Sequence, residues 1–122
     1  NLVYYGDAVF GNRYTQIISG AKLALGLLSK RFPELHTTRT LEIPACGTAL
    51  ITESNEETCE IFDHDEAIFY RDTDELISKV QYLLNHSEEL KNITKKGMDK
   101  VVSGGFDYKS ILEGVITKVF DI

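Results

Sequence analysis

The stretches Leu23-Ala24-Leu25-Gly26-Leu27-Leu28 and Ala49-Leu50-Ile51-Thr52 are short, apolar and free of polar alternation. A half-solvated strand alternates apolar and polar residues, whereas an unbroken apolar run fits a strand covered on both faces, as in a parallel sheet. Between the two, Thr38 to Cys46 reads as a short helix stopped by Gly47. Pro44 lies past the first turn, which predicts that this helix starts late or bends. Strand, helix and strand in this order form the unit from which parallel sheets are built.

The same reading extends outward. Leu2-Val3-Tyr4-Tyr5, closed by Gly6-Asp7, predicts a strand and turn, and Tyr14, Ile17, Ile18 and Ala21 fall on one face of a helix. Asn55 to Phe62 predicts one or two helical turns with Ile61 and Phe62 inward, and Ala67 to Tyr70 a further inner strand. Asp72, with Glu75 three residues on, fits a capping box and opens a helix striped by Leu76, Ile77, Val80, Leu83 and Leu84. Ser87 is the expected cap of a second helix, whose early Glu88 and Glu89 and later lysines suit the helix dipole. Gly104-Gly105 ends it, and a last helix from Tyr108 carries Ile111, Leu112, Val115, Ile116 and Val119 on one side. The order predicts an α/β, Rossmann-like three-layer fold with a mostly parallel sheet and a helical C-terminal segment, in which residues 1–122 form a single domain.

Composition narrows the function. The chain has 122 residues, 43% hydrophobic, with 6 Tyr and 6 Phe, so it can bury a core and is not disordered. Its 13 Lys+Arg against 19 Asp+Glu give a net charge of −6 and no basic stripe, which excludes a general nucleic-acid partner. No apolar run nears the roughly 20 residues of a membrane span, and no signal-peptide pattern opens the chain. Cys46 and Cys59 lack CxxC spacing and read as reduced thiols of a cytoplasmic protein. His36, His64 and His86 are scattered, so no protein metal site is expected. Asn1 stands where a complete chain has Met, so a piece of a longer protein is expected.

Parallel α/β sheets bind ligands beyond the carboxyl ends of their strands, so the loops after Tyr5, Leu28, Thr52 and Tyr70 are the places for chemistry. In the first, Gly6, Gly11 and Arg13 could approach an anion or a flat base, although Gly-Asp is also ordinary turn chemistry. In the second, Thr37, Thr38, Thr40 and Arg39 gather at a helix N-terminus, where backbone N–H groups favour an anion and a guanidinium can clamp phosphate. Glu42, one turn further on, would suit a ribose diol. Spacing alone favours the plainer reading, in which Thr38 caps, Arg39 is solvated and Glu42 is a surface charge.

Taken together, Arg39-Thr40-Leu41-Glu42-Ile43-Pro44-Ala45-Cys46-Gly47 resembles the "RTFEIPACG" segment of group-1 glycosyltransferases of the CgeB-like (spore maturation protein) type. Tyr5-Gly6-Asp7 with Ala21-Lys22-Leu23-Ala24-Leu25 is similar to that family's "YGD…AKIAL", Leu50-Ile51-Thr52-Glu53 to its "LLTE", and Glu66-Ala67-Ile68-Phe69-Tyr70 to its "EAVFY". Asp74-Glu75-Leu76 and Tyr82-Leu83-Leu84 resemble "EELIEKIRYYLL". The resemblance implies a GT-B fold of two Rossmann-like domains, of which this chain would be a partial C-terminal, nucleotide-sugar-binding one. It further implies that Glu42 binds the donor ribose as the second Glu of a Glu-x7-Glu pattern. Glu34, at the kept spacing but without the flanking "EGFG" glycines, would lie near the sugar. Thr38, Arg39 and Thr40 would meet the diphosphate and sugar, and Tyr5, Gly6 and Asp7 the base.

The implied partners are a nucleotide-sugar donor, which is a substrate and not a cofactor, and the N-terminal GT-B domain of the same chain. No metal is implied, because the family stabilises the leaving diphosphate with a helix dipole and cationic side chains. The implied function is the donor-binding portion of a hexosyltransferase-type glycosyltransferase, inactive alone. A non-catalytic Rossmann-like interaction module and a GT-B sugar-nucleotide epimerase are the alternatives.

Overall fold

In the computed structural model, which describes residues 2–121, three apolar runs become strands: β1 (Leu23–Gly26), β2 (Ala49–Glu53) and β3 (Ile68–Tyr70). They pair in parallel in the order β1-β2-β3, with Leu25 opposite Ile51 and Ile51 opposite Ile68. The helices are α1 (Gly11–Ser19), α2 (Thr38–Ala45), α3 (Glu56–Ile61), α4 (Thr73–Leu84), α5 (Ser87–Ser103) and α6 (Tyr108–Phe120).

Because strand side chains alternate between faces, β2 serves two cores at once. Ala49 and Ile51 point with Ile68 and Tyr70 toward Leu83 of α4 and Leu90 and Ile93 of α5. Leu50 points with Ala67 and Phe69 toward Ile43 of α2 and Phe62. Burying each large apolar side chain contributes about 1.5–3 kcal/mol, so β2 and its neighbours account for much of the hydrophobic stabilisation.

α5 belongs to both layers. Leu90 and Ile93 pack in the first core, and Val101, near its other end, packs against the second. At the crossing, Gly97 lies so close to the Glu66 carbonyl that any side chain there would overlap it. Lys96 pairs with Asp65 and Lys100 with Glu66 on the loop before β3.

Local signals explain most boundaries. Asn55 accepts a hydrogen bond from Thr58 N–H to open α3, and Asp107 does the same for Ser110 at α6. α2 begins at Thr38 and keeps the buried Pro44 in its last turn, where it forfeits only one intrahelical donor, so the expected late start does not occur. Gly47 follows at φ 74°, a left-handed conformation that favours glycine.

Three expectations are corrected. Leu2 to Tyr5 is exposed and forms no strand, since no neighbouring strand among the described residues pairs with it. β1 is therefore an edge strand, and Leu25 is 38% exposed where a doubly covered strand was expected. Ser87 does not cap α5: only Asn85 and His86 join α4 to α5, and His86 takes the cap position with its ring stacked on Tyr82 at 3.8 Å. The apolar residues of α6 form a helix as expected, yet Ile111, Leu112, Val115, Ile116 and Val119 all face solvent.

At the start of α4, Asp72 accepts from Glu75 N–H, but Glu75 bends past the cap and accepts from the N–H and Nε of Arg71 instead. Its carboxyl is held at about 2 against an ordinary 4.5, chiefly by Lys79 and then by Arg71. A depressed folded pKa contributes stability that is complete above the ordinary carboxylate value and lost as pH falls through the folded one. Thermal melts of wild type and Glu75→Gln should therefore differ at neutral pH, and the gap should close between about pH 4.5 and about pH 2. A gap that ignores pH would show that the Glu75 charge contributes nothing.

Candidate functional site

The loop from Leu27 to Thr37 carries the chain from the carboxyl end of β1 to the N-terminus of α2, and it is pinned at several points. Arg39 Nη2 donates to the Leu27 carbonyl at 3.2 Å, and the Glu34 carboxylate accepts from Ser29 N–H at 2.9 Å. Lys30 pairs with Glu53 at the end of β2. The His36 ring meets Glu57 of α3, and Asn55 Nδ2 donates to the Leu35 carbonyl at 2.8 Å. The loop is thus fixed against both β2 and α3.

The threonines at the start of α2 divide into separate roles. Thr37, with extended backbone, takes the cap position that the sequence suggested for Thr38. Thr40 is buried, and its hydroxyl accepts from Thr37 N–H at 3.1 Å, so it shapes the helix end from within. Thr38 is the first helical residue and is exposed.

Glu42 stands on the exposed side of α2. One carboxylate oxygen, Oε2, accepts a hydrogen bond from the Tyr14 hydroxyl of α1 at 3.0 Å. Burial, reinforced by that hydrogen bond and by the Glu42 charge, pushes the Tyr14 hydroxyl above its ordinary value, so it stays a donor. The neighbouring Cys46 thiol is likewise raised, first by burial and then by Glu42, which keeps it protonated and weakly nucleophilic. Glu42 also borders a cleft of about 290 Å³ between α2 and the end of α5, with Leu41, Val101 and Phe106.

Thr38, Arg39 and Glu42 therefore share one eight-residue helix, which starts beyond the carboxyl end of β1. Glu34 sits in the pinned loop, its carboxylate engaged with backbone. Tyr5, Gly6 and Asp7 lie in an exposed segment outside the sheet, with Gly6 at φ 83°. Sequence reasoning missed the contact of Tyr14 with Glu42, because helical periodicity placed Tyr14 simply on an apolar face. A hydroxyl tip among Ile17, Ile18 and Ala21 was the available signal.

A cleft of about 440 Å³, the largest of those described, is lined by Ala21, Leu83, Leu84, Leu90 and Met98. It lies where Lys22 and Gly47 lead into β1 and β2, at the amino ends of the strands and away from Thr38. Among the described residues, no helix is long and apolar enough to cross a membrane.

A family model described as glycosyl transferase-like matches residues 2–116, nearly the whole chain. The chain belongs to that family. No curated protein and no solved structure matches it.

Proposed function

We propose that this chain is the donor-binding part of a GT-B glycosyltransferase of the CgeB-like type, which moves a sugar from a nucleotide-sugar to an acceptor. One observation carries the reading: within a glycosyl transferase-like chain, α2 combines an exposed N-terminus after β1 with an exposed carboxylate one turn along. In this reading Glu42 accepts hydrogen bonds from the donor ribose, and Thr38 with the first N–H groups of α2 meets the diphosphate. Arg39 would leave the Leu27 carbonyl to join the diphosphate, Thr40 holds the helix end in shape, and Glu34 lies toward the sugar. Tyr5, Gly6 and Asp7 border the base.

Transfer breaks the bond from the anomeric carbon to the diphosphate oxygen and forms one to the acceptor oxygen, whose proton passes to a base or to the departing diphosphate. Charge develops on the departing diphosphate. The partial positive charge at the start of α2 opposes it where it grows, and the Arg39 guanidinium adds to this once it has left the Leu27 carbonyl. The acceptor site and any catalytic base are assigned to the N-terminal GT-B domain of the same protein, so the segment is inactive alone. We further propose a cytoplasmic setting.

Titrating UDP-glucose, GDP-mannose and ADP-glucose into the protein that carries this chain, wild type and Glu42→Ala, tests the assignment. Loss of the ribose contact should weaken binding by about 1–3 kcal/mol. Unchanged affinity would remove Glu42 from the site. A second reading, a Rossmann-like module that binds no donor, draws on the internal engagement of Arg39 and Glu34. It gains if none of the three nucleotides binds.

A further inference from the structure

Tyr14 and Glu42 lie 28 residues apart and on different helices, yet their side chains meet at 3.0 Å. α1 contributes no fully buried residue, but its end is fastened to the sheet by Thr48, whose hydroxyl donates to the Ile18 carbonyl at 2.7 Å. Ile18 adds apolar contact with the second core. The Tyr14 hydroxyl is thus presented from an anchored helix. Glu42 is exposed, and an exposed glutamate left to itself samples several rotamers.

We infer that Tyr14 is a positioning residue for donor recognition: by donating to Oε2 of Glu42, it fixes the carboxylate so that Oε1 faces the vicinal diol of a nucleotide-sugar ribose. The inference rests on the ribose role proposed above for Glu42. A diol offers two hydroxyl donors to one carboxylate, and that match is sensitive to the angle at which the carboxylate is held. The Tyr14 hydroxyl is a neutral donor, so it restrains Glu42 without cancelling the charge that strengthens its hydrogen bonds to the diol. It also marks one oxygen as structural and the other as the one for ligand. Arg39 and Cys46 are the other titratable groups nearby, and the protonated Cys46 thiol adds no charge.

The test compares wild type, Tyr14→Phe and Glu42→Ala in the protein that carries this chain. Each is titrated with UDP-glucose, GDP-mannose and ADP-glucose and with their 2′-deoxyribose counterparts. Phenylalanine deletes one oxygen and keeps the ring, so helix packing is retained. Wild type should prefer the ribose form by about tenfold, the value of one charge-assisted hydrogen bond. Tyr14→Phe should reduce that preference to within about twofold, as Glu42→Ala does, while affinity for the 2′-deoxy form stays unchanged. Equal weakening toward both forms would show that Tyr14 serves packing alone and would overturn the inference. Full retention of the preference in Tyr14→Phe, with loss in Glu42→Ala, would overturn it too but leave the Glu42 assignment standing. Wild type without any preference, or without binding, would remove the ribose assignment itself.

Discussion

Replacing Gly97 by alanine is expected to destabilise the protein by about 3 kcal/mol, opposite in sign to what the same change does in an ordinary helix. Helix propensity alone would favour alanine over glycine by roughly 0.8–1 kcal/mol. Against that, the added Cβ would collide with the backbone carbonyl of Glu66, with Pro44 just beyond it. A carbonyl in the main chain cannot swing aside as a side-chain tip can, so α5 itself must move. Its Leu90 and Ile93 would then leave one core and its Val101 the other. Urea denaturation of wild type and Gly97→Ala measures the difference. A higher midpoint for the variant would show that α5 has room at the crossing and that propensity decides.

The second large effect is expected at Phe62. Its ring is 2% exposed and packs with Ile43, Leu50 and Phe69 on the α2 face of the sheet. Phe62→Ala removes most of that contact and leaves a cavity, which should cost about 3–5 kcal/mol. A domain of this size has roughly 6–18 kcal/mol in all at about 0.05–0.15 kcal/mol per residue, so the loss is severe. Phe10→Ala supplies the contrast: that ring is 80% exposed, and its loss should stay within about 0.5 kcal/mol. Comparable midpoint shifts for the two would contradict the burial described here.

How far the sequence revealed this fold depended on whether an element carries its partner's signature. β2 was legible because Ala49 to Thr52 is buried on both faces, and an unbroken apolar run records that directly. Leu2 to Tyr5 has equally strand-like residues, but a strand also needs a neighbour to pair with, and composition does not reveal one. In α6 the stripe of Ile111, Val115 and Val119 announced a helix, while its exposure depends on what other elements reach it. The site divides in the same way. Resemblance and helix-start signals drew attention to Thr38, Arg39 and Glu42, and all three lie on α2. The inward turn of Thr40, the tie from Arg39 to Leu27 and the contact from Tyr14 to Glu42 depend on tertiary placement. Periodicity gives the side of a helix, not the partner that a polar tip finds there.

The crossing of α5 also sets an order for synthesis. β1, β2 and β3 have all been made by Tyr70, yet Leu90 and Ile93 arrive later and Val101 later still. A nascent chain therefore carries a sheet with both faces incompletely covered until nearly the end of α5 has emerged. Exposed apolar surface of that kind is what recruits chaperones and promotes aggregation. Slow translation between Tyr70 and Ser103 would lengthen that exposed interval.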